Sequence, residues 1–86
     1  MLSDAVKNIK KKVVLQLVGL DSNAFSLMGA FKQAARRQGW LREDIEAVLD
    51  DCRSGDYNHL LFVLQEVCVP NKEDLPLEQQ EKLDED

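Results

Sequence analysis

Cys52, His59 and Cys68 are the side chains of this sequence with the most reactive chemistry, because thiolate and imidazole both ligate zinc and together form a nucleophilic pair. Their intervals, seven and nine residues, match no usual ligand spacing. Both cysteines fall on apolar helix faces, where a thiol stays protonated and inert. His59, the single histidine, is expected as a half-exposed helix residue. Asp50, Asp51 and Asp56 are the carboxylates nearest in sequence, but they lack the regular alternation of a calcium loop, and neighbours on a helix point in different directions. The expectation is no catalytic site, no metal and no cofactor, hence a protein that is not an enzyme.

A second chemistry is charge recognition. Lys32, Arg36, Arg37 and Arg42 form a basic set, with Lys32 and Arg36 on one helix face at i, i+4. Ala35, Gly39 and Ile45, with Val48 continuing the core face, fit the spacing of two helices joined by a tight glycine turn, the geometry of a helix-turn-helix. The would-be recognition helix is expected to expose Glu43, Asp44, Glu46, Asp50 and Asp51 against Arg42 alone. Affinity for nucleic acid comes mainly from neutralising phosphates, so DNA reading by this helix is disfavoured. No aromatic residue is interleaved on the basic face to stack bases, since Phe25 and Phe31 read as core. Asn23, in the junction Gly19 to Asn23, is a candidate polar contact, although capping is the favoured role for that junction. A single glycine and the acidic Asp21 argue against phosphate there, and no Walker or dinucleotide pattern is present.

Charge is also unevenly distributed along the chain. Residues 1–42 hold eight lysines and arginines against two acids, a net of +6, whereas residues 43–86 hold three against fourteen, a net of −11. A basic pole and an acidic pole suit electrostatically guided association with a partner or a second copy. With 86 residues and 44% hydrophobic content the chain has room for one globular domain with a modest core. No apolar run approaches the roughly 18 residues of a membrane helix. Lys10 to Lys12 followed by Val13 to Leu20 mimics a short leader, but Asp21 stands where cleavage needs small neutral residues. A cytoplasmic protein with reduced thiols and no membrane contact is expected.

Four elements must position these residues. Val13, Leu15 and Leu17 alternate at period two in a β-branched stretch, which predicts a strand over 12–18, with residues 3–10 a helical turn or loose. A competing helix would run from Asp4 to Val18, capped by Ser3. A helix is predicted from a cap at Asp21 or Ser22 to about Gln38, with Gly39 as its stop and Arg36 and Arg37 suiting its carbonyl end. A third element spans about Arg42 to Arg53, and a fourth, capped by Asp56, runs from Tyr57 to about Val67. Trp40 is expected to plug the bottom of the core. The fold class is therefore mainly α, a three-helix domain over 1–69 preceded by one short strand. Residues 70–86, with seven acids and two lysines, read as an acidic disordered tail, apart from a conceivable short helix over 76–83. A lone strand leaves its backbone groups unpaired. Either residues 1–10 fold back on it, or the same strand of a second molecule pairs with it in a two-fold dimer.

The runs Leu17-Val18-Gly19-Leu20-Asp21-Ser22-Asn23-Ala24-Phe25, Met28-Gly29-Ala30-Phe31, Ala34-Ala35-Arg36-Arg37 to Gly39-Trp40, and Ser54-Gly55-Asp56-Tyr57-Asn58-His59-Leu60-Leu61 resemble a group of small bacterial and phage-associated proteins of unknown function. The resemblance covers about residues 12–68, and Ser22 stands where that pattern has glycine. It implies a strand followed by helices and a mobile-element setting, and it carries over no site. The expected function is a small interaction protein, dimeric, that binds a protein partner through Lys32, Arg36, Arg37, Arg42 and Asn23. The alternative is a nucleic-acid-associated regulator using the four basic residues.

Overall fold

Ser3 starts a single helical turn, α1 (Asp4–Lys7), by accepting the Val6 N–H on its hydroxyl at 3.3 Å. The computed structural model describes residues 2–77 and 79. Val6 from this turn is buried in the core. The chain then extends into β1 (Val13–Val14), much shorter than the strand expected over 12–18.

The partner of β1 is neither of those anticipated. β1 pairs in parallel with β2 (Cys68–Val69), in the register Val13 to Cys68 and Val14 to Val69. The Leu15 N–H continues the ladder to the Val69 carbonyl at 2.9 Å. Pro70 then follows, and its missing N–H ends the partner strand, which explains why β1 is short. The opposite edge of β1 is closed by side chains. Gln38 accepts the Val14 N–H at 2.8 Å and donates to the Val14 carbonyl at 2.9 Å. Gln79 does the same at Lys12, accepting its N–H at 2.7 Å and donating to its carbonyl. Two glutamine carboxamides thus stand in for a neighbouring strand and satisfy backbone groups that would otherwise invite one.

Three helices connect the two strands. α2 (Ala24–Arg37), α3 (Arg42–Arg53) and α4 (Tyr57–Val67) match the helical spacing of the sequence closely. Leu27, Phe31 and Ala35 form the buried stripe of α2, each one turn further along. Phe25, expected in that stripe, is 82% exposed. At about 100° per residue it lies about 120° around the helix from Phe31, outside the buried stripe. Ile45, Val48, Leu49 and Cys52 form the inner face of α3, and Leu60, Val63, Leu64 and Val67 that of α4. Asp56 caps α4 by accepting the His59 N–H at 2.9 Å. α2 ends in a double reverse bond: Gly39 N–H to the Arg36 carbonyl (3.2 Å) and Trp40 N–H to the Ala35 carbonyl (3.0 Å), with Gly39 at φ +86°.

Of the acidic segment 70–86, residues 78 and 80–86 lie outside the described set. Within it, Lys72–Asp74 form a short 3₁₀ helix and Leu75 is buried, so this part of the chain packs against the body. Among the described residues no helix is long and apolar enough to cross a membrane.

Candidate functional site

The turn between α2 and α3 builds the most distinctive surface of the molecule. Lys32 and Arg36 lie one turn apart on α2, and Arg42 is the first residue of α3. Gly39 folds the two helices back on each other, so that the three cations border a cleft of about 480 Å³. Trp40, Ile45 and Glu46 complete its lining. Trp40 is 6% exposed and meets Phe31 edge to face at 5.6 Å, so it belongs to the core as well as to the cleft. The Lys11 ammonium sits 5.4 Å from the indole centroid and 3.3 Å from Asp44, covering the tryptophan from the β1 side. The indole N–H of Trp40 is buried and has no acceptor among the described residues.

Two features make this cleft anion-seeking. Among the described residues, Lys32, Arg36 and Arg42 form no ion pair. Among the described residues Glu46 is the only acid in the lining, so there the cations outnumber it three to one. Arg37, the fourth member of the basic set, lies about 100° around the helix from Arg36 and does not line the cleft. Asn23 is likewise elsewhere. It is the N-cap of α2, and its carboxamide oxygen accepts the Phe25 N–H at 2.8 Å. The junction that holds it is fastened by Asp21, which accepts the Asn23 N–H at 3.1 Å, and by the Tyr57 hydroxyl donating to the Ser22 carbonyl.

On the other side of α3 lies a groove of the same volume, about 480 Å³, lined by Ser3 and Ala5 at α1 and, along α3, chiefly by Glu43, Glu46, Asp50 and Asp51. Asp51, read from sequence as exposed, is 6% exposed. It accepts the Ser3 N–H at 2.9 Å and lies 2.8 Å from His59 Nε2, while the Ser54 hydroxyl is 3.3 Å away. Burial by itself raises the carboxyl's pKa, but the Ser3 N–H, His59 and Ser54 outweigh it and hold Asp51 below the ordinary 3.8. Serine, histidine and aspartate meet here, yet not as a nucleophilic relay. Ser54 Oγ and Asp51 Oδ1 both approach Nε2, whereas a relay needs the acid on the other ring nitrogen. The Ser54 hydroxyl donates to the Asp51 carbonyl at 2.7 Å instead. The cluster joins α1, α3 and α4.

Cys52 and Cys68 are both buried and free. Burial pushes the Cys52 thiol up to about 11 and the Cys68 thiol up to about 12, so both are neutral near pH 7. Among the described residues no group of three or more histidines, cysteines and acids is placed to hold a metal ion. Sequence reasoning found Lys32, Arg36 and Arg42 through spacing and the glycine turn, but missed Trp40 and Ile45 as the floor beneath them. It missed the Asp51–His59 pair as well, for which the eight-residue interval, two turns plus a loop, carries no signal. Comparison with family models, with curated proteins and with solved structures finds no match for the chain.

Proposed function

We propose that this chain is a non-enzymatic interaction module that takes an acidic segment of a protein partner into the α2–α3 cleft. The observation that carries this reading is the convergence of Lys32, Arg36 and Arg42, without ion-pair partners among the described residues, on a concave surface floored by Trp40 and Ile45. Carboxylates entering the cleft meet cations that lose no internal partner on binding, and bidentate arginine contacts are the stronger form of that pairing. The methylene stems of Lys32, Arg36 and Arg42 offer apolar surface for an aliphatic side chain beside the carboxylates. The acids of the outer α3 face repel a wrongly oriented partner, so charge sets the direction of approach. A cytoplasmic setting in a bacterium or phage belongs to the same proposal, supported by the resemblance and by the free thiols. Homodimerisation belongs to it too, through a surface other than the outer edge of β1, because Gln38 and Gln79 occupy that edge.

Nucleic acid is the rival ligand. Two observations favour the acidic peptide. Trp40 is buried and offers no face on which a base can stack, and the acids of the adjacent α3 face, Glu43 and Asp50 among them, stand in the way of an extended phosphate backbone more than of a short peptide. Arg37, needed to extend a phosphate track, faces elsewhere.

Trp40 is the single tryptophan of the chain, so its emission reports on the cleft directly. Titration with a synthetic peptide rich in aspartate and glutamate around one leucine gives a saturable change in emission that weakens with added salt. The change disappears in a variant carrying Arg36→Glu and Arg42→Glu. Absence of a saturable change, or tighter binding of a short DNA duplex that also requires Arg37, overturns the reading.

A further inference from the structure

We propose that the α2–α3 cleft is a phosphoryl-group site, and that the acidic partner segment presents to it one phosphorylated serine or threonine. The inference rests on the reading of the cleft as an acidic-peptide site and adds the chemical group that it selects. Lys32 and Arg36 on α2 and Arg42 on α3 border one cavity of about 480 Å³, with Glu46 the one acid among the described lining residues. Three positive charges against one negative leave that lining at a net +2. A side-chain carboxylate brings a single negative charge and two oxygens, so it neutralises half of the excess. A phosphomonoester brings about 1.5–2 negative charges at neutral pH and three terminal oxygens, each a strong acceptor. The donors match in kind as well. Each guanidinium presents a fork of N–H groups that takes two oxygens at once, and the Lys32 ammonium adds a point charge on the α2 side.

The second observation lies in the lining beneath the cations. Trp40 is buried, and its indole N–H is the one buried side-chain donor without an acceptor among the described residues. Buried donors in folded proteins are almost always bonded, so an orphan in the lining of a cationic cleft marks the place of a ligand oxygen. The ring that carries it is held in place: Phe31 meets it edge to face at 5.6 Å, and the Lys11 ammonium lies 5.4 Å from its centroid. Lys11 is itself paired with Asp44 and stays out of the site. A phosphoryl group that pairs with Arg36 and Arg42 has a third oxygen to spare for the indole, whereas a carboxylate has none. A phosphodiester of nucleic acid carries one charge and two free oxygens, and so matches the lining no better than a carboxylate does.

The test uses the full chain and three versions of the leucine-containing acidic peptide, with serine, glutamate or phosphoserine at one central position. Trp40 emission gives the affinities, and NMR gives the position of the indole N–H proton. The phosphoserine peptide is expected to bind at least about tenfold more tightly than the glutamate peptide and to move the indole proton downfield, which the glutamate peptide does not. Arg36→Lys combined with Arg42→Lys keeps the charge but removes the forks. It reduces that preference below about threefold while the helical circular dichroism is unchanged. A smaller preference in the unaltered protein, an indole proton that both peptides move alike, or a preference that survives the paired lysine change overturns the phosphoryl assignment. With the glutamate peptide still bound, each of those results leaves the cleft as an acidic-peptide site. Failure of all three peptides to bind overturns the cleft reading itself. Inorganic phosphate that displaces the phosphoserine peptide at equal concentration puts a free anion in the cleft and overturns a protein as its source.

Discussion

α3 separates two grooves of equal volume and opposite character. In the groove toward α1, the buried carboxylate of Asp51 has its partners within the chain: the Ser3 N–H, His59 and the Ser54 hydroxyl. In the groove toward α2, the three cations are without ion-pair partners among the described residues. A buried charge left unpaired is costly, so the first arrangement is what stability requires. Exposed cations that stay unpaired contribute little to stability and remain available to something else. The contrast separates a structural charge from a recognition charge more sharply than residue type does.

Breaking the cleft has the largest expected effect. Arg36→Glu combined with Arg42→Glu reduces acidic-peptide affinity on the order of 100-fold, worth about 2.7 kcal/mol, because each change removes an attraction and adds a repulsion. Calorimetry reads the loss, while the urea midpoint stays within about 0.5 kcal/mol of the unaltered protein because both side chains are exposed. Asp51→Ala does the reverse. It leaves the Ser3 N–H and His59 without their acceptor and costs roughly 2–3 kcal/mol in chemical denaturation, with peptide affinity unchanged. Gly55→Ala acts on the same groove from a distance. The new Cβ would stand 2.8 Å from the His59 Cβ and Cγ, forcing the ring off Asp51. A loss of about 1–2 kcal/mol is expected, and the His59 ring resonances in NMR shift with it.

The pH dependence sharpens the same comparison. Asp51 is held below its ordinary 3.8 in the folded chain, so its contribution to stability is complete above that value and is lost as pH falls through the lower, folded value. Urea midpoints of the unaltered protein therefore fall below about pH 4, and Asp51→Asn flattens that part of the curve. Arg37→Ala has the smallest expected effect. Peptide affinity changes less than about twofold, because the side chain lies off the cleft, in contrast to Arg36→Ala one residue before it.

The helices were legible because their signals are local. Asp56 caps α4, Gly39 stops α2, and the apolar spacing between them repeats each turn, so α3 and α4 begin and end close to where the sequence places them. The strand was legible in type but not in length or pairing. Its partner, Cys68–Val69, lies 55 residues away and reads in isolation as the last turn of a helix. The glutamines that close the other edge carry no sequence signal either, since Gln38 looks like any polar residue after a helix. The cleft was half legible. Lys32 and Arg36 share a face by spacing, but the role of Trp40 beneath them depends on how tightly the Gly39 turn folds α3 back. Asp51 was misplaced because its burial comes from α1, whose single turn sits nearly fifty residues earlier and is too short to announce itself.

The central claim is that the unpaired cations of the α2–α3 cleft, and not some other face, receive a partner. The most direct measurement is NMR shift mapping of the full chain during titration with the acidic leucine-containing peptide at low and at high salt. The account predicts perturbations centred on Lys32, Arg36, Trp40, Arg42 and Ile45 that fade as salt rises. Perturbations centred on the exposed Val18 and Phe25, or none at any salt concentration, contradict it.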